Sequence, residues 1–176
     1  MRKLPVEEIG RISAEEFAKK EKLALIVVLD DIRSHHNTGA IFRTMDAFAG
    51  KSVYLCGITG KPPHRDIQKT ALGASETVNW KYFNSALEAV KELKQNNYKI
   101  IALEIAEGSI DIKDLKINKT DKIALVLGNE VYGVDQNILD ICDLCIEIPQ
   151  YGTKHSLNVS VSGGIAIWEI CKAMLT

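Results

Sequence analysis

The segment CIEIPQYGTKHSLNVSVSGGIAIWEICKAML (residues 145–175) contains a strand, a loop and a helix in succession. A short β-branched run ends at Ile148-Pro149. A polar loop then carries Tyr151, Gly152, Lys154, His155 and Ser156, and a long apolar helix opens near Leu157. Asn158, Ser160 and Ser162 intrude on that helix, and polar groups in an apolar setting must find hydrogen-bond partners. Gly163-Gly164 costs a helix about 1 kcal/mol per glycine, unless close approach of another backbone compensates. Tight packing is therefore expected at the glycine pair, either within the chain or against a second copy.

Further toward the N-terminus the same alternation recurs. LALIVVL (23–29), SVYLCGI (52–58), TVNWKYF (77–83), KIIALEI (99–105) and KIALVLG (122–128) are short, apolar and β-branched, as buried strands are, and CIEIP (145–149) is the last of the series. Helical patterns fall at about 38–49, 66–73, 85–96, 135–142 and 157–175. Strand and helix in turn predict an α/β fold with a largely parallel sheet covered on both faces. Residues 1–22 read as a helical appendage and 23–176 as one domain.

The chain has 176 residues, 46% hydrophobic and 26% charged, enough to bury a core and unlike a disordered or fibrous sequence. Lys+Arg 22 against Asp+Glu 23 leaves a net charge of −1, so any contact with nucleic acid must rest on a local patch. No apolar run approaches the ~20 residues that span a bilayer, and MRKLPVEEIGRISAEEFAKKEK lacks the core of a secretory signal. A cytoplasmic location is expected, with Cys56, Cys142, Cys145 and Cys171 reduced and buried. Cys142 and Cys145 form a C-x-x-C without a second close Cys/His pair, so no metal site is expected.

In an open parallel sheet, ligands bind beyond the carboxyl ends of the strands. After 23–29 comes DDIRSHHNTGAIFRTMDAFAG, in which Asn37-Thr38-Gly39 reads as the cap of a helix whose free N–H groups suit a phosphate. Arg43 sits inside that helix, and Arg33 and His36 read as phosphate contacts. After 122–128 comes LGNEVYGV, where Gly128 and Gly133 permit a sharp turn and Glu130 sets a carboxylate at the crevice mouth. Each loop alone also reads as an ordinary capped helix or glycine turn.

Together, NTGAIFRTMDAF (37–48), LGNEVYGV (127–134) and IPQYGTKHSLNVSV (148–161) resemble the SpoU/TrmH family, SPOUT-type RNA ribose 2′-O-methyltransferases dependent on S-adenosylmethionine. The resemblance runs from about residue 23 onward. It implies a trefoil-knotted α/β fold holding the methyl donor in the knot, and a homodimer packed through the C-terminal helix and its neighbours, with each active site built from both subunits. Its donor contacts fall on Gly128, Ile148 and Leu157, with Leu103 or Glu104 beside them. Its catalytic set falls on Asn37, Arg43, Glu130, Ser156 and Asn158. The resemblance makes Arg43 the key residue. A guanidinium is not deprotonated near neutral pH, so its expected role is a phosphate clamp, with Asn37 and Asn158 fixing Arg43 and the donor loop, Ser156 offering a hydroxyl to the ribose or phosphate, and Glu130 orienting Arg43 or lining the pocket. Lys61, His64, Arg65 and Lys69, with Lys154 and His155, supply a basic surface for RNA. The acceptor expected is tRNA, with ribosomal RNA or a non-catalytic RNA-binding role as alternatives. A serine hydrolase built on His155-Ser156 lacks the G-x-S-x-G elbow.

Overall fold

The strand LALIVVLD shows why the sheet forms in the computed structural model, which describes residues 1–10 and 12–175. Leu25, Val27 and Leu29 project to one face, Ile26 and Val28 to the other, and all five are buried. Side chains alternate along a strand, so an apolar residue at every position requires cover on both faces.

In chain order the elements are α1 (Ala14–Lys19), β1 (Leu23–Asp30), α2 (His35–Ala47), β2 (Gly50–Cys56), α3 (Arg65–Ala71), α4 (Ala74–Thr77) and β3 (Asn79–Phe83). There follow α5 (Ala86–Gln95), β4 (Lys99–Leu103), β5 (Ile110–Asp111), β6 (Ile123–Leu127), α6 (Gln136–Leu139), β7 (Leu144–Glu147) and α7 (Val159–Leu175). The seven strands pair in the order β3-β2-β1-β6-β4-β7-β5, every pair parallel. The late strand β6 lies between β1 and β4, with Leu25 opposite Ile123 and Ile123 opposite Lys99. The carboxyl ends of β1, β6 and β4 therefore meet where the strand order reverses, the usual place for a ligand crevice.

Ile41, Phe42 and Met45 of α2, Ile67 of α3 and Ile167 and Ile170 of α7 cover one face; Ala89, Val90 and Leu93 of α5 and Ile138 of α6 cover the other. Each such large side chain contributes about 1.5–3 kcal/mol by burial. Gly163 is where α7 approaches closest, since a Cβ there would lie 2.7 Å from Leu127 Cδ1 and 2.9 Å from Ile41 Cδ1. Gly164 has no atom within 4 Å of its Cβ position, so only half of the expected tight packing occurs within the chain.

The six expected strands and five expected helices are present, with shifts. β5 and α4 were not foreseen; two and four residues long, they are held by their neighbours and have no periodicity to read. The helix expected over 135–142 closes at Leu139. α2 begins three residues before Thr38, because Ser34 accepts from Asn37 N–H and takes the cap position assigned to Asn37. In the leading segment, Ser13 and Glu16 form a capping box on α1, and Phe17 is buried. Cys56 and Cys171 are buried, but Cys142 and Cys145 are only half-buried, correcting the expectation for that pair. Burial raises the Cys145 thiol to about 11 and the Cys171 thiol to about 12. Among the described residues no group of three or more His, Cys, Asp or Glu is placed to hold a metal, and no helix is long and apolar enough to cross a membrane.

Candidate active site

The turn after β6 is built by its own side chains. Asn129, almost fully buried, accepts at Oδ1 from the Val131 and Tyr132 N–H groups at 2.8 and 3.2 Å and donates from Nδ2 to the Asp31 carbonyl at 2.6 Å. Its main chain exchanges two hydrogen bonds with Gly133, at 3.0 and 2.9 Å. The Gly133 φ of 70° is left-handed and suits glycine. Beneath it, Glu104 accepts from Val134 N–H at 3.0 Å and Ile105 N–H at 2.9 Å. A Cβ on Gly128 would stand 2.2 Å from Gly133 C and Val134 N, so only glycine lets the two limbs of the turn close.

This turn aims Glu130 across the sheet at the start of α2. Its carboxylate accepts from Arg33 N–H at 2.9 Å, Ser34 N–H at 3.0 Å and Asn37 Nδ2 at 2.9 Å. Partial burial opposes the charge, but those donors outweigh it and hold the carboxyl below its ordinary value. Asn37 in turn accepts at Oδ1 from Asn158 Nδ2 at 3.1 Å. Asn158 caps α7, accepting at Oδ1 from Ser160 N–H at 2.9 Å and Val161 N–H at 3.4 Å. Glu130 thus sits just ahead of α2, on the N–H groups of Arg33 and Ser34 that precede the helix and on the Asn37 side chain. The favourable electrostatics of a helix N-terminus serve to fix the β6 turn.

A cleft of about 310 Å³ opens beside this link. Leu103, Glu104, Gly128, Glu130, Ile148, Ser156 and Leu157 all line it, so every residue expected at a donor site and two of the expected catalytic set meet there. Both carboxylate oxygens of Glu104 are engaged by main-chain N–H groups, of Ile105 and Val134. Asn37 and Asn158 stand behind the cleft as its brace. Arg43 does not reach it. Six residues beyond Asn37, it lies about 120° round the helix, exposed, and Glu130 spends its hydrogen bonds on Asn37 and the α2 entrance instead. Of the two places expected for Glu130, beside Arg43 or lining the pocket, it takes the second, while the Asn37 and Asn158 side chains bond to each other and not to Arg43. Arg33, His36, Lys61, Arg65 and Lys154 are exposed. The sequence reading missed Asn129, whose place after a strand-ending glycine was the available signal, and Asp30, a buried carboxylate that accepts from Asp135 N–H at 3.1 Å.

Residues 24–168 match the model of the SpoU rRNA methylase family. The chain belongs to that family. It is 32% identical over 154 residues to the tRNA (guanosine(18)-2'-O)-methyltransferase of Aquifex aeolicus, an alignment covering 88% of this chain and 72% of that protein. It is 34% identical over 145 residues to the 23S rRNA (guanosine-2'-O-)-methyltransferase RlmB of Neisseria meningitidis serogroup B, covering 82% of this chain and 57% of that one. The crystal structure of the A. aeolicus TrmH/SpoU tRNA modifying enzyme superposes with a TM-score of 0.80 at 31% identity, over 91% of this chain and 80% of that one. In this SpoU chain the three sequence motifs converge on one side of the sheet: 127–134 forms the turn, 37–48 supplies its brace, and 148–161 closes the cleft.

Proposed function

We propose that this chain transfers a methyl group from S-adenosylmethionine to a ribose 2′-hydroxyl of RNA, with tRNA the favoured acceptor. The observation that carries the reading is the cleft at the ends of β4, β6 and β7, braced by Glu130, Asn37 and Asn158. The family match and the Aquifex relative's tRNA activity support it; the Neisseria relative keeps ribosomal RNA as the second acceptor.

The cleft's volume lies in the range of small-molecule sites, and its walls near Leu103, Gly128 and Ile148 offer main-chain groups at strand ends. Those residues and Leu157 would hold the donor, with the 148–158 segment threaded as a trefoil knot around it. The bound donor supplies an electrophilic methyl on a sulfonium. The residues of the chain then have two tasks: to present the hydroxyl in line, and to ease loss of its proton. Ser156 offers a hydroxyl to the ribose or its phosphate from the cleft wall. Arg43 stays protonated, clamps the adjoining phosphate and stabilises the developing alkoxide. Arg33, His36, Lys61, Arg65 and Lys154 hold the RNA backbone nearby. The molecule works in the cytoplasm, with 23–176 as the methyltransferase domain and 1–22 as its appendage.

The same reading makes the enzyme a homodimer. Val161, Ile165, Trp168 and Leu175 are exposed along one stripe of α7, and Gly164 has open space beside them. Such a stripe suits a second α7, and dimerisation would bring the partner's cleft toward Arg43.

Labelled methyl transfer to unmodified tRNA and to ribosomal RNA, with Arg43→Ala as control and mass spectrometry of the nucleosides, tests the reading. Label in a 2′-O-methylnucleoside, lost with Arg43→Ala, is expected. Donor binding without transfer to either RNA would point to another acceptor, and absence of donor binding would favour a non-catalytic RNA-binding role.

A further inference from the structure

Lys61 lies over the Tyr82 ring, its Nζ 4.0 Å from the centroid. Among the described residues no carboxylate stands within 4.0 Å of that ammonium, although Lys69, eight residues on, and Lys81, beside Tyr82, each have one. The difference matters chemically. A carboxylate partner fixes a lysine and cancels its charge, whereas an aromatic face fixes it and leaves the charge available.

The loop that carries Lys61 is fastened at many points. Tyr82 donates to the Gly57 carbonyl at 3.1 Å, and Gly57 N–H donates to the Phe83 carbonyl at 3.1 Å. Ile58 N–H donates to Asp31 Oδ1 at 2.8 Å. The buried Thr59 hydroxyl donates to the Leu29 carbonyl at 3.1 Å and accepts from Ile32 N–H at 2.9 Å. The His35 and His64 rings stack at 3.8 Å and 10°, joining the entrance of α2 to that of α3. The loop after β2 is thereby tied to the one after β1, whose Arg33 and Ser34 N–H groups hold Glu130. From the β6 turn to Tyr82 on β3 is three strand spacings, about 14 Å.

We propose that Tyr82 and Lys61 form a platform that presents one uncompensated ammonium to a backbone phosphate of the acceptor RNA, a few nucleotides from the ribose that reacts. This rests on the RNA-methyltransferase reading above. Tyr82 is then a positioning residue: it acts through Lys61, which its ring holds, and it touches no reacting atom.

The test measures binding of unmodified tRNA to the full chain across a salt series, together with the KM for RNA and kcat. Lys61→Ala should weaken binding several-fold and lower the slope of log K against log salt by about 0.7–0.9, the loss of one phosphate contact. KM should rise more than kcat falls. Tyr82→Leu should reproduce most of that loss, Tyr82→Phe should restore most of it because the ring remains, and Lys61→Ala with Tyr82→Leu should be no worse than Lys61→Ala alone. An unchanged salt slope in Lys61→Ala, with wild type still binding and methylating RNA, would overturn the platform and leave the enzyme reading intact. A wild-type chain that neither binds nor methylates RNA would overturn both. Lys61 is exposed, so Lys61→Ala is informative even where Tyr82→Leu fails to fold.

Discussion

Asn158 donates its side-chain N–H to Asn37 Oδ1 at 3.1 Å, bridging 121 residues and joining the cap of α7 to the first turn of α2. Because Asn37 also donates to Glu130, one amide passes the position of α7 to the β6 turn. The link puts the three motif segments into a single hydrogen-bonded unit whose parts cannot shift separately.

Asn158→Asp isolates that link. The carboxylate can still accept from Ser160 and Val161 N–H, so the cap is kept, but it cannot donate to Asn37 and sets an anion against its carbonyl oxygen. We expect stability to fall by about 1 kcal/mol in urea unfolding and methyl transfer to fall at least tenfold, about 1.4 kcal/mol. Asn158→Ala, which also removes the cap, should be about 1 kcal/mol less stable again. Full activity in Asn158→Asp would mean that the bridge is idle.

Glu130 gives a pH signature with a fixed sign. Its carboxyl is held below the ordinary value in the folded chain, because donor N–H groups outweigh the cost of burial. Its stabilisation is therefore complete above the unfolded value of about 4.3 and is lost as pH falls through the lower folded value. The difference in unfolding free energy between wild type and Glu130→Gln should be flat above about pH 5, of the order of 1 kcal/mol after discounting for solvent exposure, and should narrow below it. Asp30, raised by burial, titrates in both proteins and cancels from the difference.

Gly128→Ala tests the closure of the β6 turn. The added methyl would meet the Gly133 and Val134 main chain at 2.2 Å, and backbone has no rotamer by which to yield. Opening the turn should cost about 1–3 kcal/mol of stability and displace the cleft wall. Calorimetric titration with S-adenosylmethionine should show at least tenfold weaker binding than wild type. Undiminished donor affinity would place the donor elsewhere.

The sheet was legible because β1 and β6 carry apolar residues on both faces, a pattern that only a covered parallel strand requires. β5 was not, since Ile110–Asp111 is held by pairing to β7 and has no signal of its own. The residues of the cleft were legible as a set, but their connections were not. Asn37 reads locally as a helix cap, and only the fold sets Ser34 in that place and turns Asn37 toward Glu130, 93 residues away. Arg43 shows the same limit from the other side: its position in a motif says nothing about which way the helix points it.

Arg43→Lys separates the clamp from simple charge. A lysine ammonium keeps the charge but cannot offer two parallel N–H donors to a phosphate. We expect methyl transfer to fall at least tenfold with donor binding and melting temperature unchanged, since Arg43 is exposed and does not line the cleft. Near-normal turnover would refute the clamp.

Arg43 does not line the cleft of its own chain. If Arg43 serves the cleft of the second protomer across α7, then a dimer of one Arg43→Ala chain and one Gly128→Ala chain holds one intact site, with the wild-type arginine of one chain and the wild-type turn of the other. Neither homodimer holds any. With the donor kept too dilute to fill the Gly128→Ala cleft, random mixing should therefore recover about a quarter of wild-type activity from two proteins that are each nearly inactive. If arginine and cleft belong to the same protomer, every site in the mixture lacks one of them and no activity returns. Trp168→Glu, placed in the exposed stripe of α7, should abolish the recovery by keeping the chains apart, and sedimentation should show a folded monomer.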